Sequence, residues 1–208
     1  MPSRDYHEGL WEVLPEGLEP SDFELRRRFL LAGVPRGARV LDVGCGEGTF
    51  AAELSGAGAE VVGIDVAEEP LRRARARHPE LDLRLVDGEA AWPLPDAEFD
   101  VVWAGEVIEH VADTARWLSE VRRVLRPRGT LLLTTPVHDR LGMLRLALSR
   151  RELEEQLDPR GEHLRFYTRR TLEALLDDFG FEQIDAHLSG RPASRHRVLL
   201  ARARRSRY

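Results

Sequence analysis

The chain has 208 residues, a formal net charge of −5 and 31 basic residues, every one of them Arg. That length holds one α/β domain with a full core, and the acidic balance excludes a surface generally coated for nucleic acid. A single cysteine excludes a disulfide framework. The first residues carry no apolar signal core and no apolar run approaches the ~18 residues of a membrane span, so a cytoplasmic protein is expected.

In chain order, Tyr6-His7-Glu8-Gly9-Leu10-Trp11 reads as a surface arm packing one aromatic, with a flap over a ligand as the alternative. Ser21-Asp22-Phe23-Glu24 has capping-box spacing and predicts a lead-in helix to about Ala32, ended by Gly33 and Pro35. Arg26, Arg27 and Arg28 read as its solvated face. Residues 1–38 are thus an arm and lead-in helix ahead of a domain at 39–208. From Arg39 short apolar strands alternate with helices: a strand to Val43, a helix from Phe50 to Ser55, a strand from Val61 to Asp65, and a helix from Pro70 to Arg77 stopped by Pro79. Strands follow from Leu81 to Val86 and from Phe99 to Trp103. Asp113 then caps a helix with an apolar stripe of Trp117, Leu118, Val121, Val124 and Leu125. Gly129 to Thr135 is the fifth strand. Leu172, Leu175, Leu176 and Phe179 mark a later helix, and two weaker strands, Phe181 to Leu188 and Arg197 to Ala203, close the pattern. Such alternation predicts an α/β fold with a mostly parallel sheet covered on both faces.

Residues 136–167 break the rhythm. The stretch is longer than an ordinary connection, with a short amphipathic helix from Leu141 to Leu148, and it is expected to meet a substrate; a surface elaboration is the alternative.

The most informative segment is Val40-Leu41-Asp42-Val43-Gly44-Cys45-Gly46-Glu47-Gly48-Thr49, a strand, a glycine turn and a helix start. Glycines let backbone approach a ligand, and the helix start offers unpaired N–H groups. Thr49 occupies the position of the third glycine in a dinucleotide fingerprint, which counts against a nucleotide-dependent oxidoreductase. Asp42, a carboxylate at a buried strand end, needs a cation or several donors, and an ammonium group would serve. Asp65 ends the second strand about 20 residues on, where nucleotide folds grip a ribose diol.

Together with Asp87 and the turn Glu106-Val107-Ile108-Glu109-His110, these features resemble the class I S-adenosylmethionine-dependent methyltransferases, close to the ubiquinone-biosynthesis O-methyltransferases, from about Arg39 to Phe181. The resemblance implies a Rossmann-like, seven-stranded sheet whose last strand is antiparallel beside the fifth. It implies S-adenosyl-L-methionine as cofactor, with Asp42 on the methionine ammonium and Gly44, Cys45, Gly46 and Gly48 forming the loop. Asp65 and Val66 would hold the ribose, Asp87, Gly88 and Glu89 the adenine, and Glu106 would lie below the methionine. Cys45 reads as a small packing residue, a reactive thiol being the alternative.

A sulfonium methyl is already activated, so transfer needs in-line placement, and a hydroxyl acceptor must also lose a proton. Of the seven histidines, His78, His187 and His196 read as structural and His7 is undetermined. His110, His138 and His163 follow a core strand or lie in the insertion, and His110 and His163 are the candidate catalytic residues. Glu106, Glu109, His110 and His163 are also similar to the Mg²⁺ ligand set of the small-RNA 3′-terminal 2′-O-methyltransferases. A divalent metal is not favoured, because a hydrogen-bonded Glu106–His110 pair explains the same spacing. The expectation is methyl transfer to a small-molecule oxygen, with no nucleic-acid partner and no membrane span; a metal-dependent RNA 2′-O-methyltransferase is the alternative.

Overall fold

The apolar runs between turn signals become strands of one sheet. The computed structural model describes residues 3–137, 140–156, 158, 163–189 and 197–207. In it, β1 (Arg39–Val43), β2 (Glu60–Asp65), β3 (Asp82–Leu85), β4 (Phe99–Gly105), β5 (Leu125–Pro136), β6 (Phe181–Ser189) and β7 (Val198–Arg205) lie in the order β3-β2-β1-β4-β5-β7-β6. The first five are parallel; β7 runs antiparallel between β5 and β6. This is the seven-stranded, mostly parallel α/β sheet expected of the sequence.

Side-chain alternation along the strands divides the core in two. On one face Leu41, Val102 and Leu131 share a register row and pack under α5 (Thr114–Val124) and α8 (Arg169–Asp178). On the other, Val40, Val101, Trp103 and Leu132 meet Leu30 of α2 (Phe23–Gly33) and Phe50 and Leu54 of α3 (Thr49–Gly56). Asp42 lies in the row of Trp103 and Leu132, on the α2 side of the sheet. Each fully buried Leu of these rows stabilises the fold by ~1.5–3 kcal/mol. α4 (Glu68–Arg77) completes the layer through Leu71 and Ala74 against Leu83.

Three local expectations change. No capping box forms at Ser21–Glu24: Asp22 takes the N-cap position with φ 51° and ψ 32°, far from the extended geometry that a side-chain cap requires, and Glu24 instead accepts from Arg28 Nε at 2.9 Å. A capping box does form at Thr168 and Thr171 of α8. The stretch read as an arm is an 11-residue helix, α1 (Ser3–Val13), fastened by Arg73, which donates to the Trp11 and Leu14 carbonyls, and by Glu8, which accepts from the start of α4. The insertion carries α6 (Arg140–Leu148) and α7 (Arg150–Gln156), with Met143, Leu144 and Leu148 exposed. His138 and His196 lie outside the described residues. Among the described residues, no helix is long and apolar enough to cross a membrane.

Candidate active site

β1 and β4 are neighbours whose following connections leave on opposite sides, so a crevice opens at their C-terminal ends. Gly44 (φ +67°), Gly46 (φ +52°) and Gly48 (φ +78°) are all left-handed, a conformation strained for other residues. The loop is tied to β2 by the N–H groups of Gly44 and Cys45, which donate to the Ile64 carbonyl at 2.8 and 3.1 Å. A Cβ on Gly44 would stand 2.7 Å from Val107 Cγ2, so the backbone approach here excludes a side chain.

The crevice is a cavity of about 500 Å³. Of the sequence-predicted cofactor residues, Gly44, Asp65, Val66, Gly88, Glu89 and Glu106 line it, and so does His110. Asp65 is buried; its Oδ2 accepts the Gly46 N–H at 2.9 Å and its Oδ1 the Ala67 N–H at 3.0 Å. Burial pushes its carboxyl up, against the pull of those donors. Asp87 is exposed just after β3, where its Oδ1 accepts the Glu89 N–H at 2.8 Å. Cys45, Gly46 and Gly48 form the loop without lining the cavity, and Cys45 Sγ packs toward Gly63.

Asp42 lies beneath the loop, 2 % exposed, and its Oδ2 has no hydrogen-bond partner among the described residues. Desolvation first, then the charge of Asp65, push its carboxyl up to about 8. Glu106 adopts φ +59° at the end of β4, and its Oε1 is likewise buried without a partner. Glu109, 1 % exposed, accepts the Thr135 hydroxyl on Oε2 at 2.9 Å and leaves Oε1 unpartnered. Burial pushes Glu106 and Glu109 up.

The cation facing these acids is Arg26, which contradicts its reading as solvated surface. It is 4 % exposed, with its guanidinium carbon 4.8 Å from the Phe50 ring centroid and 6.0 Å from that of Trp103. Its Nη1 donates to the Ser21 carbonyl at 3.2 Å, and Glu106, Glu109 and Asp42 all act to raise its pKa against desolvation. The physical reason is helical phase. Phe23, Arg26 and Leu30 fall on one face at i, i+3 and i+7, while Arg27 and Arg28 turn outward to Glu53 and Glu24. That spacing, read one residue at a time, was the available signal.

His7 and His110 line the cavity, and His163 packs on His110 from outside the lining. Ring centroids of His110 and His163 are 4.9 Å apart, and those of His7 and His110 5.9 Å. His163 is held by the N–H groups of Leu164 and Arg165, which donate to the Glu109 carbonyl at 2.8 and 3.1 Å. One ligand atom each from Glu109, His110 and His163 lies within 4.8 Å of the others. Glu106 stands outside that group: a left-handed residue and a single 3₁₀ turn (Ile108–His110) replace the expected helical turn. Three of the four resembled metal ligands therefore converge, a mixed nitrogen and oxygen set suited to a borderline divalent ion. His187 packs edge-on against Phe29 at 6.0 Å, and His78 Nδ1 lies 3.8 Å from Glu80.

A cationic, nucleoside-bearing ligand fits these residues. Asp42, Glu106 and Glu109 each leave one buried carboxylate oxygen without a partner, facing a single Arg, and the glycine floor admits close backbone approach. Comparison with known proteins agrees with that chemistry. A sequence model of the methyltransferase-domain family matches residues 20–186. The ubiquinone biosynthesis O-methyltransferase of Thiobacillus denitrificans is 38% identical over 144 residues, 67% of this chain and 62% of that protein. The 27-O-demethylrifamycin SV methyltransferase of Amycolatopsis mediterranei is 39% identical over 136 residues, 61% of this chain and 49% of that protein. The chain thus spans from about half to three-fifths of the length of the curated relatives it matches. Among solved structures, an S-adenosylmethionine-dependent methyltransferase from Mesorhizobium loti superposes with TM-score 0.67 at 24% identity, covering 89% of this chain and 98% of that one. Phosphoethanolamine N-methyltransferase 2 of Haemonchus contortus, solved with S-adenosyl-L-methionine, gives TM-score 0.74 at 18% identity over 90% of this chain and 54% of that one. With the glycine loop, the strand-end acids and the sheet order in place, the chain belongs to the class I S-adenosylmethionine-dependent methyltransferases.

Proposed function

We propose that the protein transfers a methyl group from S-adenosylmethionine to an oxygen of a small-molecule acceptor. The observation that carries this reading is the cavity itself: a crevice lined by Gly44, Asp65, Glu106 and His110, with Glu109 and His163 gathered against His110 outside the lining. When bound, S-adenosylmethionine supplies an electrophilic methyl on a positively charged sulfur. Asp65 accepts the ribose hydroxyls, and Asp87, Gly88 and Glu89 meet the adenine. Asp42 and Glu106 meet the methionine ammonium, and Arg26 offsets the remaining negative charge on that side. The acceptor oxygen is held in line by the His110 and His163 wall, and one of these imidazoles takes its proton as the new C–O bond forms. An oxygen acceptor is supported by the two relatives named as O-methyltransferases.

The test is a thermal-shift comparison of S-adenosylhomocysteine with NAD, followed by label transfer from S-adenosylmethionine to a panel of phenolic and alcoholic acceptors. Stabilisation by NAD and not by S-adenosylhomocysteine would overturn the reading. The convergence of Glu109, His110 and His163 favours one second version, in which a divalent ion held by these three lowers the pKa of the acceptor hydroxyl. The donor set fits such an ion, and chelation separates the two versions.

A further inference from the structure

The family match begins at residue 20, yet α1, at residues 3–13, forms a wall of the cofactor cavity through His7, Leu10 and Trp11. Trp11 sits directly over the glycine loop, where a Cβ added to Gly46 would stand 3.0 and 3.2 Å from its ring carbons. None of the described α1 residues belongs to a hydrophobic core cluster. The hydrogen bonds that fasten the helix sit at its middle and at its C-terminal end.

At mid-helix, Glu8 accepts the N–H groups of Glu68 and Glu69 at 2.7 and 3.0 Å. These are orphan donors at the start of α4, whose own N-cap, Ala67, has no side chain to cap them. The same turn carries the Ala67 N–H that orients Asp65. At the C-terminal end, Arg73 donates to the Trp11 and Leu14 carbonyls at 2.8 and 2.9 Å, satisfying acceptors that the helix terminus leaves open. Glu47 of the glycine loop completes the fastening by binding Arg73, Arg77 and the Gly17 N–H at 3.2, 2.9 and 2.8 Å. A helix fastened this way can undock without exposing the sheet core, and both of its anchor points are on α4, which follows directly on Asp65 and is tied through Arg73 to Glu47 of the glycine loop.

We propose that α1 is a cofactor-retaining cover, with Trp11 as its contact over the glycine loop and Glu8 as the positioning residue that couples its docking to the turn orienting Asp65. The inference rests on the methyltransferase reading. Release of S-adenosylhomocysteine then waits for α1 to undock, and a bound nucleoside under Trp11 reinforces docking in return.

The experiment measures association and dissociation of S-adenosylhomocysteine on the immobilised full chain by surface plasmon resonance, with amide hydrogen exchange of residues 3–14 in parallel. Trp11→Ala should raise the dissociation rate about tenfold without slowing association, and Glu8→Gln should raise it by a smaller factor at an unchanged melting temperature. In the unmodified protein, saturating S-adenosylhomocysteine should increase protection of α1. Wild-type dissociation rates in both variants, or exchange of α1 indifferent to the ligand, would overturn the proposal. Should Trp11→Ala fail to fold, Glu8→Gln and the exchange experiment decide it. Absence of S-adenosylhomocysteine binding to the unmodified chain is a different result, and refutes the methyltransferase reading itself.

Discussion

Arg26→Met removes the guanidinium set against Asp42, Glu106 and Glu109, and its cost should depend on pH. With the acids ionised, the variant carries uncompensated buried charge, and breaking such an arrangement costs ~3–5 kcal/mol. The acids have an escape, because Asp42 is already pushed up to about 8 by burial and Glu109 is pushed up with it. At pH 5.5 Asp42 and Glu109 are neutral, and what remains is the stacking on Phe50 and Trp103, ~0.5–2 kcal/mol, together with the attraction of Glu106 while it is ionised. A carboxyl whose folded pKa exceeds its unfolded value binds more protons when folded, so stability falls as pH rises between the unfolded value near 4 and the folded one. Arg26 opposes that fall. Its loss should therefore cost less at pH 5.5 than at pH 8.5, with ~3–5 kcal/mol as the ceiling at the higher pH, out of a total of the order of 5–15 kcal/mol. Urea unfolding of both chains at the two pH values, followed by circular dichroism, measures the difference. A penalty equal at both would show that Arg26 acts through packing alone and would refute the electrostatic argument.

Asp65→Ala should weaken S-adenosylhomocysteine by roughly ten- to a hundredfold, ~1.5–3 kcal/mol for charge-assisted hydrogen bonds, and calorimetry showing unchanged affinity would place the ribose elsewhere. Because Asp65 also accepts from Gly46 and Ala67, its melting temperature should fall as well. In the insertion, Leu144→Ser with Leu148→Ser should leave stability within ~0.5 kcal/mol, both residues being exposed, and should lower acceptor turnover while S-adenosylhomocysteine affinity stays unchanged. Turnover should survive dialysis against a chelator and fall at least about tenfold in His110→Ala or His163→Ala. Loss on chelation with recovery on Mn²⁺ or Zn²⁺ would instead establish Glu109, His110 and His163 as a metal centre.

The strand–helix alternation and the glycine turn were legible because they follow from period and punctuation: apolar runs such as Val40 to Val43 and Gly129 to Thr135 have few alternatives to a buried strand. The antiparallel last strand beside the fifth came instead from the family resemblance. Local rules failed where tertiary partners decided. Ser21 to Glu24 satisfies a capping pattern, yet the left-handed Asp22 and the pull of Arg28 on Glu24 give the helix a different start. Arg26 was hidden by its neighbours, since three consecutive arginines look like one surface when only their composition is read. The mixed aromatic and polar stretch from Tyr6 to Trp11 read as an arm, and the contacts that dock α1, between Glu8 and Glu68 and between Arg73 and Leu14, join residues about 60 positions apart, beyond any local pattern. The Glu106–His110 spacing suggested a helical turn, but a left-handed Glu106 and a single 3₁₀ turn stand there instead.

The sole cysteine makes the glycine loop observable. Cys45 is 8 % exposed, and burial first, then the charges of Asp65 and Asp42, push its thiol well above the usual range. Alkylation requires thiolate and access together, so in the closed state the group is protected twice over. Labelling of the native protein must then proceed through excursions that lift the loop from β2, and its rate reports how often they occur. With no other sulfhydryl in the chain, a simple mass measurement over time becomes a clock for breathing of the cofactor cradle. A ligand that seats on the loop slows that clock in proportion to its occupancy, without any engineered probe.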